Sequence, residues 1–229
     1  MFDKRLHMLA KSLMPNLSLA DIGTDHGKLA ILAVKEYGIP HVIAVDKNLN
    51  PLKGAEKNIK EEGLEAYITC RLGDGFSVLE KAEVQQAVIA GVGNGVMLKI
   101  LEEGKEVWRT MQHLVLSPHQ HPHVIRRWAQ KNGLVLIDEH VCMLQKHYYV
   151  ALQYKLGNKP TAFSERELYF GPYLLQKHHL SEVSSYFKRL KQSAQTHYKN
   201  LEKNLMGSSS DMLYLETVFG KECFHDNSQ

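Results

Sequence analysis

The chain has 229 residues, room for one α/β domain of about 150 residues and a smaller appendage. Its 44% apolar and 23% charged shares are ordinary for a globular protein, and no run approaches the roughly 18 apolar residues of a membrane span. The formal charge of +3 is unevenly spread: nine basic residues stand against four acidic ones between Tyr154 and Met206, while the rest carries 19 basic and 21 acidic. A basic C-terminal part suggests a polyanionic partner, the plainer alternative being a solvated helix face. Cys70, Cys142 and Cys223 are odd in number, far apart and in no C-x-x-C pair. They predict neither disulfides nor zinc, and fit a reducing cytoplasm. The first eight residues lack the apolar core of a secretory signal. The expectations are a cytoplasmic chain with no membrane association, and no protein partner is implied.

In chain order, the first predicted strand, Leu17–Ile22, carries Asp21 into a loop with Gly23 and Gly27, and a helix follows over Lys28–Tyr37. A second strand, Val42–Asp46, ends on another carboxylate before a helix over Pro51–Glu62. Strands are predicted next at Ala66–Arg71, Ala87–Ala90, His113–Ser117, Val135–Val141 and Tyr148–Leu156, with helices at Gly75–Leu79, Gly95–Thr110 and Pro122–Gln130. Strand alternating with helix implies a mostly parallel sheet covered on both faces. The last two strands have no helix between them, which predicts an antiparallel hairpin at the sheet edge. That is the layout of a Rossmann-like, class I methyltransferase α/β domain.

Gly157 to Pro160 reads as a boundary turn, and Phe170-Gly-Pro172 as a second break. From Tyr173 to about Leu205 apolar residues recur at three- and four-residue steps; Gly207–Ser210 ends the run, and Asp211–Phe219 reads as a short helix. Such a hairpin buries a core only if it packs on itself or on the sheet domain. The predicted division is 1–156 for the sheet domain, 160–220 for a coiled-coil-like helical domain and 221–229 for a flexible tail.

Four strand ends carry groups suited to a ligand crevice. The first, Asp21 to Gly27, lacks a full G-x-G-x-x-G and is crowded with polar groups, which points away from a dinucleotide and towards S-adenosylmethionine. There Gly23 permits close approach of backbone, and Asp21 or Asp25 can accept from an ammonium. The second is Asp46, placed for ribose hydroxyls, with Lys47 beside it. The third is Asp74, in Gly73-Asp-Gly75, able to accept from an adenine amine. The fourth is the glycine-rich Gly91-Val-Gly93-Asn-Gly95. Each alone could be an ordinary turn or cap; their order and spacing together are specific. His119, His121 and His123 alternate after Ser117, but a proline-interrupted loop is a poor metal cage, and no metal is expected.

Asp21-Ile-Gly-Thr-Asp-His, the Ile-Ala-Gly loop, Leu-Ser-Pro118 and Tyr169-Phe-Gly-Pro172 resemble the bacterial tRNA (adenine-22-N1)-methyltransferase family, from about Leu6 to Leu205. The resemblance implies a Rossmann-like methyltransferase domain using S-adenosylmethionine and a C-terminal domain that helps hold tRNA. Three positions depart from the family pattern. Gly27-Lys28 stands for Ala-Tyr, Gly91-Val-Gly-Asn-Gly95 is one residue longer than usual, and Ser117-Pro-His119 replaces Gln-Pro-Asn. On this reading Asn94 and the Ser117–His119 loop hold the base, Asp25 or His26 assists, Lys28 meets substrate, and Lys188, Arg189 and Lys191 contact RNA phosphates. A same-fold methyltransferase with another target and a non-catalytic RNA-binding relative are the alternatives.

Overall fold

Seven short runs rich in Val, Ile, Leu and Ala form the sheet: β1 (Leu19–Ile22), β2 (Val42–Asp46), β3 (Ile68–Leu72), β4 (Gln86–Val92), β5 (His113–Pro118), β6 (Leu134–Leu144) and β7 (His147–Leu156). Every residue of β1, β2 and β5 is buried, as befits parallel strands covered on both faces. The order is β3-β2-β1-β4-β5-β7-β6. β1 to β5 run parallel, and the β6–β7 hairpin closes the edge with β7 antiparallel to β5. The predicted α/β class and edge hairpin are therefore present. Strand order reverses between β1 and β4, so a crevice opens at their carboxyl ends.

The computed structural model describes residues 2–157, 162–203 and 209–224, and the chain divides into two units, Met1–Thr161 and Ala162–Gln229. In the first, α1 (Lys4–Lys11), α2 (Lys28–Glu36) and α3 (Leu49–Glu61) share one buried cluster with sheet residues such as Leu19, Val42, Val88 and Val115. α4 (Asn94–Glu103), α5 (Lys105–Trp108) and α6 (Pro122–Lys131) follow, α4 and α6 packing on each other and on β4, β5 and β6. Arg126 of α6 and Glu139 of β6 form an ion pair whose side chains are 1% and 0% exposed.

The second unit contains α7 (Glu165–Phe170), α8 (Pro172–Gln176), α9 (Ser181–Lys203) and α10 (Ser209–Phe219). Ser164 and Glu167 cap α7 reciprocally. Phe170, Ala194, Tyr198, Leu215, Val218 and Phe219 make a small core of the unit's own. In the stretch where a flexible tail is expected, Lys221–Cys223 forms a 3₁₀ turn and the Phe224 ring stacks on Tyr198, centroids 4.4 Å apart.

Some elements differ from expectation. α1 was not predicted, although its signals are in the sequence: Asp3 accepts from the Leu6 N–H at 2.9 Å, and Leu6 and Leu9 are buried three residues apart. The helix expected over Gly75–Leu79 is a pair of turns, because Gly75 adopts φ +59° and the segment is too short to propagate a helix. The expected Gly95–Thr110 helix breaks into α4 and α5 at Gly104, where a Cβ would lie 2.2 Å from the Phe76 ring. The run from Tyr173 is broken between α8 and α9, where the Leu180 N–H closes a turn on the Lys177 carbonyl. Ser181-Glu182 is a helix start that the apolar periodicity runs across. β4 extends to Val92, two residues into the expected glycine loop. Residues 158–160 of the expected Gly157–Pro160 turn and 207–208 of the expected Gly207–Ser210 break lie outside the described residues, and α10 begins at Ser209 within that break.

Candidate active site

At the end of β1 the chain turns at Gly23, whose φ of +78° favours a residue without Cβ. The Gly23 and Thr24 N–H groups both donate to the Val45 carbonyl, at 2.8 and 2.9 Å, folding the loop over the end of β2. Asp46 is waiting there. One carboxylate oxygen accepts from the Asp25 N–H at 3.1 Å and the other from the Asn48 N–H at 2.8 Å. The side chain is thus aimed by two loops, and each oxygen keeps a second lone pair for a ligand. Gly73, leading to the exposed Asp74, donates its N–H to the Asp46 carbonyl at 2.9 Å.

Across the crevice β4 bulges between Ala90 and Val92, with Gly91 at φ +75°. A Cβ on Gly91 would stand 3.7 Å from an Arg5 nitrogen and 3.8 Å from His119 Nε2, so those two side chains flank the bulge. Two adjoining cavities result. Asp46, Lys47, Asp74, Gly75 and Gly93 line one of about 330 Å³, with Val96 and Ile100 from α4 as apolar wall. Asp21, Asp25, His26, Lys28 and Arg5 line the other, of about 270 Å³. Gly23, Ala90 and Gly91 belong to both.

The second cavity is rich in charge. Asp21 is buried and accepts from the Thr24 hydroxyl at 2.7 Å. Burial pushes its carboxyl up to about 6 against the lowering effect of that hydrogen bond, and the Asp46 and Asp25 charges push the same way. Because the folded value lies above the unfolded one, Asp21 favours the fold below about pH 4, and that contribution is lost as pH rises through about 6. Arg5 reaches in from α1. Its guanidinium carbon lies 5.4 Å from the centre of the Tyr149 ring, and its Nε is buried with no hydrogen-bond partner among the described residues. His26 Nε2 lies 3.7 Å from an Asp25 oxygen, and both side chains are more than half exposed. The His26 ring lies against Gly54 of α3, where a Cβ would come within 2.5 Å of Nδ1.

Not every predicted residue lines these cavities. Asn94 begins α4; its amide nitrogen donates to the His121 carbonyl at 3.4 Å, and its side-chain oxygen is buried without a partner among the described residues. Ser117 is 2% exposed within β5, paired with Ala90. His119 is exposed, and its N–H donates to the Val92 carbonyl at 3.1 Å, tying the β5 end to the bulge. The His121 and His123 rings meet edge to face at 5.6 Å, and burial holds His123 well down, at about 4. Among the described residues no group of three His, Cys, Asp or Glu could hold a metal ion. Lys188, Arg189 and Lys191 are exposed on α9; the first and last line a separate cavity of the second unit.

Sequence reading missed Arg5, Thr24 and Asn48. Thr24 and Asn48 act through backbone or short hydrogen bonds that only the fold makes visible. Arg5 could be found only by recognising α1.

A family model described as a methyltransferase domain matches residues 2–152. The tRNA (adenine(22)-N(1))-methyltransferase of Bacillus subtilis is 30% identical over 207 residues, 84% of this chain and 87% of that protein. The crystal structure of the B. subtilis m1A22 tRNA methyltransferase TrmK superposes with a TM-score of 0.80 at 26% identity, covering 95% of this chain and 94% of that one. A Streptococcus pneumoniae protein solved in complex with S-adenosyl-L-methionine gives a TM-score of 0.80 at 26% identity, covering 98% and 100%. Fold, crevice and family match together define a methyltransferase domain. The chain belongs to the tRNA (adenine(22)-N(1))-methyltransferase family. Among the described residues no helix is long and apolar enough to cross a membrane.

Proposed function

We propose that this chain transfers a methyl group from S-adenosylmethionine to N1 of adenine 22 in tRNA. The observation that carries this reading is a likeness to the B. subtilis enzyme that runs through 95% of the chain, both units included. The test is methyl transfer by the purified chain to an unmodified tRNA transcript; no transfer would refute it.

The residues present fit the cofactor. Asp46 is pre-aimed with free lone pairs for two ribose hydroxyls, beside Lys47. Asp74 and Gly75 close the end of the cavity suited to adenine, whose amine Asp74 accepts, against Val96 and Ile100. The zwitterionic methionine end needs both signs of charge, and the second cavity has them: Asp21 or Asp25 for the ammonium, and Arg5, whose Nε lacks a hydrogen-bond partner among the described residues, for the carboxylate. Gly23, Gly91 and Gly93 leave backbone as the wall between the two ends. When bound, S-adenosylmethionine supplies an electrophilic sulfonium methyl.

Adenine N1 carries its own lone pair, so the protein's task is alignment rather than activation of the nucleophile. His119, exposed at the end of β5, is placed to meet the base, while Asn94, through the His121 carbonyl, and the buried Ser117 position the loops around it. Asp25 or His26 offsets the positive charge that methylation leaves on the ring and takes the proton later released. Lys28 adds a cation at the cavity's edge. Residues 1–156 form the cofactor-binding domain and 160–220 the tRNA-holding domain, where Lys188, Arg189 and Lys191 meet phosphates. A tRNA substrate supports a cytoplasmic location.

Asp21 gives this reading a pH signature. Only the ionised carboxylate accepts from an ammonium without first losing a proton. Affinity for S-adenosylhomocysteine should therefore be flat above about pH 6.5 and fall by up to about tenfold per unit below about 6, where binding must expel that proton. Calorimetry at pH 5 and pH 7 measures this. Equal affinities in the wild type would remove Asp21 from the ammonium site, and Asp21→Asn should lack the dependence.

A further inference from the structure

The second unit has a cavity of its own, of about 380 Å³, within the size range of small-ligand pockets. Its floor is aromatic: Phe170 meets Phe187 and Phe219 edge to face, with centroids 5.2 and 5.1 Å apart. Its rim is cationic. Lys188 and Lys191 stand one helical turn apart on α9, and Arg166 faces them from α7. Arg166 is held in place: one nitrogen donates to the Val218 carbonyl at 3.1 Å, and its guanidinium carbon lies 5.3 Å from the centre of the Phe170 ring. His178 Nδ1 pairs with the Leu175 carbonyl at 2.9 Å, leaving Nε2 available. No carboxylate lines the cavity among the described residues. Arg189, about 100° around α9 from Lys188, is outside it.

We propose that this cavity takes one unstacked nucleotide of the tRNA, its base against the phenylalanine floor and its phosphate between Arg166, Lys188 and Lys191. The proposal rests on tRNA being the substrate. Charge complementarity and shape select this occupant. A phosphate alone would leave the aromatic floor unused, whereas a nucleotide matches an aromatic interior with a cationic rim. The cavity adds to the bare phosphate contacts of a basic helix a grip on a base pulled from its stack, at a site separate from the methyl-transfer crevice.

The test uses the full chain and an unmodified tRNA transcript. Ser184 lines the cavity without carrying charge. Ser184→Trp should weaken tRNA binding at least about fivefold, the loss of one stacked base, and leave the salt dependence unchanged. Lys188→Gln with Lys191→Gln should instead lower the slope of log affinity against log salt by about 2. On the wild type, saturating tRNA should slow alkylation of Cys223 by N-ethylmaleimide, read by peptide mass spectrometry, since Cys223 lines the same cavity and is a free thiol. This second measurement decides the matter even if Ser184→Trp does not fold. A wild type that binds tRNA while Cys223 reacts at its unliganded rate overturns the proposal. Protection by poly-glutamate and not by tRNA also overturns it, and would assign the cavity to an acidic polypeptide. Loss of tRNA binding by the wild type itself would strike the substrate reading instead.

Discussion

Replacing Asp46 by alanine should weaken S-adenosylmethionine binding by about 5- to 150-fold, the loss of charged hydrogen bonds worth about 1–3 kcal/mol. Two losses combine. The ribose hydroxyls lose their acceptor, and the Asp25 and Asn48 N–H groups lose the carboxylate that aims their two loops. Asp46 is 8% exposed, so water does not readily replace it. Asp46→Asn keeps one acceptor oxygen and should recover part of the affinity. Calorimetry with all three proteins separates the outcomes. An alanine variant that binds as the wild type does would make Asp46 a loop tie and displace the ribose from this strand end.

The largest stability effect should come from the buried ion pair beneath α6. Removing either partner, by Arg126→Met or Glu139→Met, strands the other charge away from water and should cost about 3–5 kcal/mol. The double replacement removes both charges and should be much less destabilising than either single one, because a buried pair is often matched by apolar groups of similar volume. Both tryptophans of the chain, Trp108 and Trp128, lie in the first unit, so their fluorescence during urea unfolding follows that unit alone. Single variants that lose less than about 1 kcal/mol would show the pair to be solvated, and the double variant would then have nothing to recover.

Much of this architecture is written in local pattern. The buried runs of β1, β2 and β5 are legible because parallel strands covered on both faces need continuous apolar sequence. The acidic ends at Asp21 and Asp46 are legible because a carboxylate closing such a run has few structural reasons to be there. What escaped notice depends on tertiary contact. Gly104 divides a helix-patterned stretch only because Phe76, 28 residues earlier, occupies the space beside it. Gly91 reads as loop, yet its left-handed geometry forms a bulge inside β4. Arg5 carries a buried nitrogen beside the crevice, but in sequence it sits among charged N-terminal residues that resemble a solvated end. The second unit's cavity was equally hidden. Its basic residues were visible as a charge excess, whereas the ring cluster between them is assembled from α7, α9 and α10.

Methyl transfer to adenine 22 is tested by methylation of an unmodified tRNA transcript by the purified chain with S-adenosylmethionine, the modified base located by primer extension, which stops at 1-methyladenosine. One methyl group per tRNA is expected, at N1 of adenine 22, and none on a transcript with another base at that position. Methylation at a different base, or undiminished transfer after adenine 22 is replaced, would contradict that expectation.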